Sequence, residues 1–213
     1  MIIDHNNSFY RLVWQNSGND KYNGAFYYSK EIVKNIIPNV ETDRNWVTLN
    51  IKNLCYDHSI VFIHNNLHPE RYDWLKRFND LILVCGVPDT VKKVSHLGKA
   101  IYLPLSVDTK YLDQFKRPKD KDTAYVGREN KRQGITLPPG TIYLENLDRH
   151  ILLGEVARFK KVYGVGRVAI EARYLGAEIL PYDPRYPDVE LWQVLDNLDA
   201  AKMLQEAING IDK

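Results

Sequence analysis

Cysteine is scarce: 213 residues contain only Cys55 and Cys85. The two are far apart and neither sits in a CxxC pattern, which excludes a disulfide scaffold and a thiolate zinc site of the usual kind. Buried, reduced thiols in a cytoplasmic protein are the expectation. No apolar run approaches the ~20 residues of a membrane span. The opening MIIDHNNSF has neither the basic nor the apolar region of a secretory signal. Charge of one sign is also lacking: the formal net charge of +2 is too small to demand a nucleic-acid partner. No GxSxG, P-loop or HExxH motif and no Ser-His-Asp order appears. The first apolar run is not followed by the GxGxxG of a dinucleotide-binding dehydrogenase or epimerase.

What is present is an alternation of short β-rich runs with helical patterns. Phe9–Trp14, Trp46–Asn50, Ser59–Ile63, Asp80–Val84 and Ala100–Leu105 read as strands. Between them AFYYSKEIVKNI ends ahead of Pro38, PERYDWLKRF opens on Pro69, and PDTVKKVSHL runs from Pro88 to Gly98, all with helical spacing. The charged segment 113–122, DQFKRPKDKD, reads as a linker. The alternation then restarts with strands at Thr123–Val126, Thr141–Leu144, Lys161–Tyr163 and Glu178–Leu180. Helices are expected at HILLGEVARF, at RVAIEARYL and in a long final DVELWQVLDNLDAAKMLQEAI. Such grammar predicts parallel sheets with helices on both faces.

The chemistry concentrates in KVYGVGRVAIEARYLGAEILPYD, which begins at Lys161. A strand runs into Gly164-Val165-Gly166 and then a helix. The N–H groups of Gly166, Arg167 and Val168 would stand at that helix start, where orphan donors and the helix dipole favour a phosphate. Arg167 adds a full charge there. Glu171 follows four residues later on the same face, within reach of ribose hydroxyls; a carboxylate accepts two hydrogen bonds from a vicinal diol. Most of the 14 tyrosines and four tryptophans are expected at core edges, Trp74 and Trp192 among them, while Trp14 and Tyr22 lie near the first loop, where a ligand contact is plausible.

This segment resembles the donor-site signature of GT-B glycosyltransferases, in which Glu-x7-Glu runs into an Ala and then a Gly. Glu171, Ala172 and Gly176 match it, and Tyr163 stands where the first Glu contacts the transferred sugar. AYVGRENKRQG resembles the family's VGR…KG loop, which implies a diphosphate clamp by Arg128 and Lys131, with Arg132 an alternative to Lys131. LPLSVD at 103–108 resembles the hinge segment. VFIHNN resembles the strand ending in a His beside the reaction centre, here His64, whose imidazole at the carboxyl edge of a parallel strand can touch substrate hydroxyls. SGNDKYNGAFYYSKEIVK resembles the glycine loop that approaches the donor, through Gly24 or Gly18.

The resemblance spans nearly the whole chain. It implies an α/β fold of two small Rossmann-like parallel-sheet domains facing each other across a cleft. Residues 1–112 would be acceptor-side and 123–213 donor-binding, with the last helix able to pack back on the first domain. It implies transfer of a sugar from a nucleotide-diphosphate sugar such as a UDP-sugar, without a metal. His64, Arg128 and Lys131 would be catalytic, and Gly24, Tyr163, Gly166, Arg167, Val168 and Glu171 would bind the donor. The acceptor stays open: a modified DNA base, as in phage enzymes, or a glycan, protein or small molecule. The oligomeric state is not legible. A metal-dependent GT-A transferase needs an Asp-x-Asp at a strand end, and the one match, Asp120-Lys-Asp122, precedes a strand instead. Tyr163 in place of a Glu motivates an alternative: a nucleotide-binding protein of the same fold without turnover.

Overall fold

The computed structural model describes residues 2–5, 8–14, 24–48, 54–64, 68–128, 132 and 134–212. The chain is α/β and divides into two compact units. Ala25–Pro104 and Asn197–Lys213 belong to the first, together with the N-terminal strands, and Leu105–Asp196 to the second.

Six strands form the first sheet in chain order: β1 (Ile2–His5), β2 (Ser8–Trp14), β3 (Asn45–Thr48), β4 (Ser59–Ile63), β5 (Leu81–Cys85) and β6 (Lys99–Tyr102). β1, which has no counterpart among the expected strands, pairs antiparallel with β2, and all later neighbours pair parallel. β4 and β5 are buried at every position, as their unbroken β-branched and aliphatic runs require of strands covered on both faces. Val47, Val61, Ile63, Leu81, Leu83 and Cys85 share one face and pack with Leu75, Val94 and Leu97. Alternation puts Trp46 and Phe62 on the other face, where their rings stack at 6.2 Å.

The helix expected over AFYYSKEIVKNI is α1 (Gly24–Glu31), followed by a widened turn at Ile32–Ile36 and a 3-10 turn at Ile37–Asn39. Pro38 has no N–H to extend the ladder, and the helix rearranges ahead of it. Pro69–Arg77 is a 3-10 segment, and α2 covers Pro88–Val94. The final helix is shorter than its pattern suggests. Val189–Leu191 is a single 3-10 turn, and α6 runs over Asn197–Ile211. The intervening Leu195 carbonyl accepts from Val107 N–H and the Asp196 carboxylate from Thr109, so tertiary pairing displaces the helix there. α6 lies against the Ile32–Asn39 turns, where Gln205 exchanges two hydrogen bonds with the Glu41 backbone.

The second unit carries α3 (Thr109–Asp113) and a four-stranded parallel sheet in the order β10 (Glu178–Leu180), β9 (Phe159–Tyr163), β7 (Lys121–Gly127), β8 (Ile142–Glu145). α4 (Arg149–Val156) and α5 (Arg167–Tyr174) bury Leu153, Val156, Ala169, Ile170 and Ala172. The expected linker at 113–122 is part of this unit: Phe115 is buried, Arg158 holds Asp120, and Lys121 begins β7 with its Nζ on Glu155. From β7 the chain moves one way to β8, then crosses back to β9 and β10. That reversal makes a topological switch point at the carboxyl ends of β7 and β9, the position where open α/β sheets bind ligands. The first sheet, in simple chain order, has none among its described strands.

Candidate functional site

At the switch point β9 passes through Gly164-Val165-Gly166 into α5. Gly166 has φ 64° and ψ −137°, a conformation that glycine reaches without steric cost. A Cβ at Gly164 would come within 3.3 Å of Val168 and 3.4 Å of Val162, so the turn also depends on a close approach. The Gly166 carbonyl accepts from the Ala169 and Ile170 amides, which places Arg167 and Val168 in the first turn. The N–H groups of a first turn have no intrahelical acceptor and carry the positive end of the helix dipole.

The structure places Glu171 in a buried ion cluster. Its side chain is 1% exposed, and both oxygens are engaged: Oε1 by Arg149 Nη2 and by Arg167 Nε at 2.8 Å, Oε2 by Arg149 Nη1 at 3.1 Å. Burial pushes its carboxyl up, and the two guanidinium charges overcome this and hold it below the usual carboxylate range. In this arrangement both oxygens of the carboxylate serve the two arginines. Arg149 is the first residue of α4, behind its Asp148 cap. It meets Glu171 only through the packing of α4 on α5, and no local pattern marks it.

Arg128 follows β7 directly and is half-buried; its carbonyl accepts from Tyr125 Oη at 3.0 Å. Lys131, like Gly18 and Tyr22, lies outside the described residues. Arg132 is committed elsewhere, paired with Glu145 at 2.7 Å and lying over the Tyr143 ring. Gly24 is the first residue of α1. Asp120 is paired with Arg158 at the amino end of β7, away from the switch point.

A tyrosine cluster is the feature that sequence spacing did not reveal. Tyr163 at the end of β9 and Tyr125 of β7 both meet Tyr182 edge to face, at 6.4 and 5.5 Å, and Tyr186 lies 6.5 Å from Tyr182. Burial raises the phenol of Tyr182 and pushes that of Tyr125 up to about 12, so both stay neutral. Beside the cluster is a cavity of about 430 Å³, within the range of small-molecule sites. Gly164, Val165, Pro181, Tyr182, Tyr186 and Trp192 are among its walls. Arg128, Tyr163, Gly166, Arg167, Val168 and Glu171 are not, so the cavity adjoins the turn through Gly164 and Val165.

In the first unit, His64 ends β4. Its Nε2 lies 2.8 Å from Thr48 Oγ1 and 3.2 Å from Ser29 Oγ, and its backbone N–H donates to Tyr72 Oη. Burial pushes its imidazole down to about 4, so it is neutral at ordinary pH and suited to hydroxyls rather than to phosphate. Among the described residues, no cluster of three or more His, Cys, Asp and Glu could hold a metal ion, and no helix is long and apolar enough to cross a membrane.

No protein-family model, curated protein or solved structure matches this chain.

Proposed function

We propose that the chain is a glycosyltransferase of the GT-B kind that uses a nucleotide-diphosphate sugar. One observation carries this reading: the glycine turn at Gly164–Gly166 opens α5 at the switch point of a parallel sheet, with a ligand-sized cavity against its first two residues. The first-turn amides of α5 and the Arg128 side chain suit a diphosphate, which gains charge as the bond to the sugar breaks. Glu171 acts indirectly, by fixing Arg149 and Arg167. Neutral His64 orients a sugar or acceptor hydroxyl when the two units share a substrate, and the two-domain GT-B arrangement belongs to the proposal. The acceptor hydroxyl forms the new bond to the anomeric carbon as the bond to the diphosphate oxygen breaks, and its proton passes to solvent water while the nucleoside diphosphate leaves.

A thermal-shift panel of nucleotide-sugars tests the reading, since preferential binding to the folded state raises the melting temperature. One donor class should stabilise the protein, Arg128→Ala should weaken that effect, and an acceptor mixture should release nucleoside diphosphate. Stabilisation by no nucleotide would remove the reading. The engaged Glu171 and the tyrosine at 163 favour a second one, a nucleotide-binding protein without turnover, which predicts stabilisation with no donor consumed. DNA affinity falling steeply with salt would assign a DNA base as acceptor.

A further inference from the structure

The cavity beside Gly164 has walls of unusual composition. Tyr182, Tyr186, Trp192 and three prolines supply flat apolar faces, and no Lys, Arg or His is among the described lining residues. The charged residues among its described walls are Asp183 and Asp188. Asp183 is neutralised by Arg185, which donates from Nε and Nη2 at 2.9 and 2.7 Å. Asp188 is exposed, and its side chain makes no cap hydrogen bond at the Val189–Leu191 turn. Trp192 is 3% exposed, and its Nε1–H has no acceptor among the described residues.

No cation stands among the described walls of the cavity, which favours a place for the diphosphate outside it, at the α5 terminus. Aromatic and proline faces match the C–H faces of a sugar ring. Hydroxyl groups match an unpaired carboxylate, which accepts from them. The geometry points to a specificity: the cavity receives the sugar ring and selects an uncharged one, excluding hexuronates by charge. This deepens the proposed function and rests on it for the source of the ring. A hexuronate would bring a carboxylate up to Asp188 at the wall, costing both desolvation and repulsion, while the guanidiniums behind the wall, Arg185 on Asp183 and Arg173 on the Val189 carbonyl, are already engaged.

The test uses a matched pair, a UDP-hexose and the corresponding UDP-hexuronate, with UDP alone as the reference, titrated into the full chain by calorimetry. The hexose is expected to bind about tenfold tighter than the hexuronate. Asp188→Asn should shrink that ratio and Asp188→Lys should reverse it; the exposed site makes both substitutions compatible with folding. Equal or tighter binding of the hexuronate by the wild-type chain, or a ratio untouched by both variants, overturns the inference while leaving nucleotide binding intact. If UDP and both sugars fail to bind, the UDP-sugar form of the glycosyltransferase reading fails, and the cavity is judged by itself. The Trp192 indole N–H resonance, assigned with Trp192→Phe, should then shift with a methyl hexoside and not with a methyl hexuronoside. A shift with neither, or with both alike, overturns the inference, and a shift with a nucleoside alone assigns the cavity to a base and overturns it equally.

Discussion

Replacing Glu171 by Gln tests the ion cluster under α5. The substitution keeps the shape and removes the charge that Arg149 and Arg167 share. Their side chains are 12% and 6% exposed, so neither guanidinium regains full hydration when the carboxylate is lost. Breaking a buried pair by removing one partner costs about 3–5 kcal/mol. Because Arg149 can swing toward solvent, the lower end, about 3 kcal/mol, is expected. For a chain of this length that lowers the melting temperature by about 6–12 °C. The effect should depend on pH. The native Glu171 carboxyl is held below the ordinary glutamate value, so its stabilisation is complete above that value and disappears as pH falls through the native one. Urea unfolding followed by circular dichroism, for wild type and variant, should give a gap of about 3 kcal/mol at pH 7 that closes on acidification. A gap below about 0.5 kcal/mol at pH 7 would refute the reasoning, because surface substitutions produce as much. A gap that persisted unchanged into strong acid would refute it too.

Gly166→Ala should cost about 1–3 kcal/mol through strain alone, since a Cβ there would make only an ordinary contact with the Leu105 side chain at 4.0 Å and the backbone conformation is what resists it; wild-type stability in the variant would show that the turn relaxes freely. His64 should stay neutral from pH 8 to pH 5 and titrate near pH 4 in side-chain NMR spectra, and an ordinary midpoint near 6.5 would contradict its burial. His58 is raised by its hydrogen bond to Asp80, then by that to Asp43. Its stabilisation is therefore present below its unfolded value near 6.5 and lost as pH rises through the native one, so His58→Ala should cost up to about 1 kcal/mol at pH 6 and less at pH 9. Equal costs at both pH values would remove the ion-pair account.

The elements legible in the sequence are those whose cause is local. Unbroken runs such as Ser59–Ile63 mark strands covered on both faces, and Gly164–Gly166 marks the entry to α5, because solvent exclusion and backbone sterics act through the residues themselves. Residues 188–196 carry helical spacing yet do not join the final helix, because Val107 and Thr109, distant in sequence, claim the Leu195 and Asp196 groups. Glu171 was legible as a carboxylate on the right face of α5, but its state depends on Arg149, delivered by a different helix. The cluster of Tyr125, Tyr163, Tyr182 and Tyr186 has no spacing of its own; sheet topology assembles it from β7, β9 and the segment after β10.

The central claim is that a nucleotide diphosphate binds at the amino end of α5. Amide resonances of Gly166, Arg167 and Val168 in a ¹H–¹⁵N spectrum report on that end directly. Saturable shifts of these three on titration with the nucleoside diphosphate of a stabilising donor are the predicted result. A spectrum in which they stay still, while residues of the first unit alone respond, would contradict it.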